Sequence, residues 1–131
     1  MEISITLRGE VAERQELLNA TQSVTVETAS GDGWTAVASF SWNRGLASYA
    51  GEGDITLRRD DGAECFGTML SADVQDLDDG SADAGHAVRA EYEIDGGSAA
   101  LGDARGRATL AGRFSDVTFD GECSLSLDGD A

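Results

Sequence analysis

Strict two-residue alternation, broken by glycine turns and by no proline, runs through most of this chain. Val117, Phe119, Gly121, Cys123, Leu125 and Leu127 share one parity, and Asp116, Thr118, Asp120, Glu122, Ser124 and Ser126 the other. Successive side chains of a strand point to opposite faces, so each such segment has one dry face and one wet face. A series of these strands in a short chain hides its dry side by closing on itself or by packing on a second sheet. A length of 131 residues fits one domain with one core.

The same alternation recurs along the chain. Ile3, Ile5 and Leu7 open a first strand, and Val24 and Val26 mark a second. From Trp34 to Trp42, the residues Trp34, Ala36, Ala38, Phe40 and Trp42 fall on one face. Ile55 and Leu57 carry the next strand, and Asp60-Asp61-Gly62 then reads as a hairpin with a primed turn, which needs positive φ. The return strand over 63–74 is assigned Phe66, Leu70, Ala72 and Val74 as its apolar row. After a long polar stretch from Gln75 to Gly85, strands over 86–94, 105–114 and 116–128 complete the set. The stretch 10–19 differs. Ala12-Glu13-Arg14-Gln15-Glu16-Leu17-Leu18 consists of good helix formers, which favours one short helix over a strand continuing past a kink. The expectation is an all-β domain: an eight-stranded antiparallel up-and-down β-barrel, calycin-like, with that one helix.

Charge narrows the partners. Asp and Glu number 25 against nine arginines, with no lysine, for a net charge of −16. No basic footprint exists for a nucleic-acid backbone, and anionic membrane is disfavoured. The acidity has three readings: solubility in a salty cytoplasm, a partner with a basic surface, or a nucleic-acid mimic. No apolar run is long enough for a membrane helix, and no basic segment precedes an apolar one at the start, so the expectation is cytoplasmic. A homodimer that hides one outer face is a further possibility, to which Val37 and Ala111 on otherwise polar rows give little support.

Signals for metal or nucleotide chemistry are weak. One histidine and two distant cysteines, Cys65 and Cys123, do not form a ligand set, and buried free thiols are the expectation. Asp76, Asp78 and Asp79 before Gly80 lack the closing Glu of an EF-hand. Gly51-Glu52-Gly53 leads into a strand rather than a helix, the wrong context for a phosphate loop. No cofactor is expected. The aromatic parity says more. Trp34, Phe40, Trp42, Tyr92 and Phe114 all fall on dry faces, where they either fill a barrel solidly or line a ligand cavity. His86 shares the parity of Val88, Ala90, Tyr92 and Ile94, which places it at the mouth of the interior. Tyr49 and Met69 are expected near an opening as well.

The segment Tyr92-Glu-Ile-Asp-Gly-Gly-Ser-Ala-Ala-Leu-Gly-Asp-Ala-Arg-Gly106 resembles the Tyr-x-Ile-x-Gly-Gly-Thr-Gly-x-Phe-x-x-Ala-x-Gly stretch of allene oxide cyclase-like and dirigent-like barrels. Gly51 to Leu57 with Asp61-Gly62, and Phe119-Asp120-Gly121, are similar to flanking parts of the same families; Ala99 and Leu101 depart from the pattern. The resemblance implies an eight-stranded barrel with an interior pocket that confines a hydrophobic small molecule, as in cofactor-independent cyclases or isomerases. Confinement of a flexible substrate lowers the entropic part of a barrier without a conspicuous acid–base set. Gly96 and Gly97 are expected to provide positive φ at a sharp strand exit. The ligand-binding expectation comprises Trp34, Phe40, Trp42, Tyr49, Met69, His86, Tyr92 and Phe114. The alternative is a non-enzymatic acidic interaction domain.

Overall fold

The computed structural model describes residues 2–16, 21–29, 33–43, 53–76, 85–98, 105–115 and 118–127. Eight strands form a closed barrel: β1 (Glu2–Glu16), β2 (Thr21–Ala29), β3 (Trp34–Asn43), β4 (Asp54–Arg59), β5 (Glu64–Asp76), β6 (His86–Ser98), β7 (Gly106–Phe114) and β8 (Thr118–Leu127). Each strand pairs antiparallel with the next, and β1 closes the ring on β8 through pairs such as Ile5–Cys123 and Leu7–Gly121. Closure removes the free edges that an open sheet of this composition would expose. The dry rows meet at the axis. Ile5, Leu7, Val24, Val26, Phe40, Ile55, Leu57, Tyr92, Ile94, Leu110, Phe119 and Leu125 are all fully buried.

Pairing overrides local propensity in the stretch expected to be helical. Residues 10–16 continue β1 and pair with β2. A register shift between Val11 and Glu13 leaves Ala12 bulged. A bulge bends a strand and increases its twist, which lets β1 wrap the barrel. Helix preference among these residues is worth tenths of a kcal/mol each, less than the strand pairing they gain. Residues 17–19 lie outside the described residues.

The dry row of β5 also departs from expectation. Cys65, Gly67 and Met69 face inward, then a bulge between Met69 and Ser71 switches the phase so that Ala72 follows them inside. Phe66 therefore stands outside, 44% exposed, and Leu70 falls at the bulge. Phe66 lies over Gly96, its cross-strand partner: a Cβ on Gly96 would come within 2.9 Å of the Phe66 ring. Gly96 and Gly97 are thus strand residues of β6, which continues through Ser98; the positive-φ glycines among the described residues are Gly33, Gly62 and Gly106.

The β4–β5 hairpin uses a three-residue loop instead of a two-residue primed turn. The Gly62 amide donates to the Arg59 carbonyl (2.9 Å), the Arg59 amide donates to the Ala63 carbonyl (2.8 Å), and Gly62 has φ +89°. This is a turn followed by a left-handed glycine, the usual three-residue solution. Elsewhere glycine serves close approach, as between β7 and β8. Gly112 and Gly121 face each other across β7 and β8, and a Cβ on Gly112 would lie 2.7 Å from the Gly121 Cα.

Candidate functional site

Up-and-down order sorts the interior rings by end. At one end, here the upper, odd-numbered strands finish and even-numbered strands begin. β3 and β7 finish there with Trp42 and Phe114 on their inner rows, and β6 begins there with His86. His86 and Phe114 are cross-strand partners, with ring centroids 5.0 Å apart at 32°. Trp42 comes from β3, on the opposite wall from β7. Its ring meets Phe114 edge-on at 5.6 Å and His86 at 6.0 Å. Phe40, one step deeper, contacts Phe114 at 5.3 Å and Trp42 at 6.1 Å. Offset and edge-to-face geometries at these distances are the favourable ones for aromatic pairs. Trp42, Phe40 and Phe114 are buried, and His86 is half-buried at the rim. Rings from facing walls thus meet across the upper lumen.

A second crossing lies below. The Tyr92 hydroxyl, on β6, donates to the Ser39 carbonyl of β3 at 2.8 Å. Ser39 stands where β4 begins: the Asp54 amide donates to Ser39 Oγ at 3.0 Å, and Ser39 Oγ donates to the Asp54 carboxylate at 3.3 Å. The ordinary β3–β4 ladder runs only from Trp34–Arg59 to Ala38–Ile55, so side chains continue the linkage at this level. Burial, followed by the nearby Cys123 and Asp54, holds the Tyr92 phenol well above its ordinary range. Met69 is buried beside this junction; a Cβ on Gly53 would sit 3.1 Å from its Sδ. Cys65 and Cys123 are free and buried, and burial pushes their thiols up to about 11 and about 12.

Trp34 belongs to the other end. It begins β3, and the Arg59 guanidinium lies 5.9 Å from its ring centroid. Asp61 accepts from Arg59 Nε at 3.1 Å and from its terminal nitrogen at 2.7 Å, and also from the Ala63 amide at 3.0 Å. The Arg59 hydrogen bond, then the Ala63 amide, holds the Asp61 carboxyl below its usual range. At this end a Trp–Arg–Asp chain of contacts is built on the hairpin loop.

Of the eight residues expected to contact a ligand, Phe40, Trp42, His86 and Phe114 come together, Tyr92 and Met69 lie deeper, and Trp34 sits at the opposite end. Tyr49 lies outside the described residues. The Ser39–Asp54 link to Tyr92 had no signal in the sequence, because it depends on which strands face each other across the lumen. Among the described residues no three His, Cys, Asp or Glu side chains gather to hold a metal ion, and no helix is long and apolar enough to cross a membrane. Comparison with protein-family models, curated proteins and solved structures finds no match to this chain.

Proposed function

We propose that this barrel binds a hydrophobic small molecule, which packs against the floor formed by the tilted rings of Trp42, His86 and Phe114. The observation that carries this reading is the meeting of rings from facing walls at the level of a half-buried histidine. Aromatic faces supply apolar area and stacking for a planar ligand. The imidazole supplies a hydrogen-bonding edge that orients one polar atom of that ligand. Such a floor restricts the conformers of a flexible substrate, and the proposed chemistry is cofactor-independent cyclisation or isomerisation by confinement. The likeness of the segment from Tyr92 to Gly106 to allene oxide cyclase-like barrels supports the same reading.

The two tryptophans stand at opposite ends of the barrel, which provides the test. A Trp34→Phe protein reports on Trp42 alone, and a Trp42→Phe protein on Trp34 alone. Titration with 2-naphthol, a flat apolar alcohol, should quench Trp42 emission saturably and leave Trp34 unchanged. His86→Ala should weaken the Trp42 response. Equal responses from both tryptophans, or none from Trp42 up to the solubility limit, would refute the reading.

A further inference from the structure

The two exposed large hydrophobic side chains among the described residues fall in one lateral row. Val37, 43% exposed, pairs with Thr56, and Thr56 pairs with Phe66, 44% exposed. Phe66 in turn covers Gly96. The outer waist over β3, β4 and β5 therefore carries both of these side chains, with Thr56 between them. Asp54 flanks Thr56 on one side along β4 and Arg58 flanks it on the other, both exposed. Across the strands, Ser39 bonds Asp54 through its hydroxyl and Thr68 pairs with it, and Thr35 and Glu64 accompany Arg58.

We infer that this face is the self-association surface of the protein, and that a second copy of the chain covers it. The geometry selects one arrangement. A two-fold axis laid along the Val37–Thr56–Phe66 row stacks each of these residues on its own counterpart. It also turns the row above onto the row below, so Asp54 of each copy meets Arg58 of the other. An axis laid along the strands instead would set Arg58 against Arg58 and Asp54 against Asp54. Isologous interfaces need such self-complementarity, and the charge placement provides it for one axis only. The contact is a patch on a convex barrel, smaller than the roughly 800 Å² per partner of a standard stable interface. Each copy also carries −16. The dimer is accordingly weak and tightens as salt screens the overall repulsion.

Sedimentation of the full chain up to about 1 mM should show a monomer–dimer equilibrium that shifts toward dimer at about 0.5 M salt, where the Debye length is about 4 Å. Asp54→Arg alone and Arg58→Asp alone should each weaken self-association by about tenfold or more, because each sets like charges face to face. Mixing the two variant proteins should restore association to within about threefold of the wild type, since the reversed charges then complement each other. Thr56→Cys provides an independent readout: oxidised glutathione should link two copies through that position, and should not link a Thr109→Cys protein, whose site lies on β7. A monomer at every concentration and salt would overturn the proposal. So would variants that associate like the wild type, a mixture no tighter than its components, or equal cross-linking at the two cysteine positions.

Discussion

Tyr92→Phe isolates the bond that ties β6 to β3 across the lumen. The side chain is fully buried, and its hydroxyl donates to the Ser39 carbonyl at 2.8 Å. Phenylalanine keeps the ring and its packing, so the substitution removes one buried hydrogen bond and leaves an acceptor behind. Such a loss costs about 1–2 kcal/mol, because the net value of the bond is modest and the orphaned carbonyl adds a desolvation penalty. For a domain of this size that is a drop of about 3–8 °C in melting temperature. Tyr92→Ala also empties the ring volume and should cost about 3–5 kcal/mol. Urea unfolding followed by far-ultraviolet circular dichroism measures both, with the midpoint falling and the slope unchanged. A Tyr92→Phe protein as stable as the wild type, or more so, would refute the crossing bond.

Three further outcomes follow from the packing and the titrating groups. Gly112→Ala places a methyl 2.5 Å from the Asp120 carbonyl and 2.7 Å from the Gly121 Cα, and should cost about 1–3 kcal/mol in urea unfolding. The thiols of Cys65 and Cys123 are held protonated by burial, so stability from this source is complete below the ordinary thiol value of 9.0 and is lost as pH rises toward about 11 and 12; both should resist Ellman's reagent at pH 8 in the folded protein and react in urea. Asp61 has a lowered folded-state pKa, so its contribution is present above the ordinary carboxylate value of 3.8 and disappears as pH falls through the folded one; thermal melts should place Asp61→Asn below the wild type at pH 7, with the gap closing at pH 2.

Parity and short connections were enough to read the barrel from the sequence, and the departures in β5 and β1 have physical causes. In β5, Phe66, Met69, Leu70 and Ala72 are all apolar, so alternation allows either phase, and only the bulge after Met69 decides which rings go inside. In β1, helix formers at 12–16 are held extended by pairing with β2, a tertiary effect that no local window contains. The aromatic end of the barrel was half legible. Even–odd position placed Phe40, Trp42, His86 and Phe114 on inner faces, and their contact across the lumen depends on β3 and β7 standing opposite each other in the ring. Trp34 has the same parity as Trp42, yet strand direction carries it to the far end.

Nuclear magnetic resonance with a bound planar probe tests the central claim most directly, because it reports where on the barrel the probe rests. Titrating 2-naphthol into labelled protein should shift and broaden the ring resonances of Trp42, His86 and Phe114 first, with smaller changes at Phe40 and none at Trp34. Shifts centred on Trp34 or on the Val37–Phe66 face, with the upper rings unmoved, would contradict it.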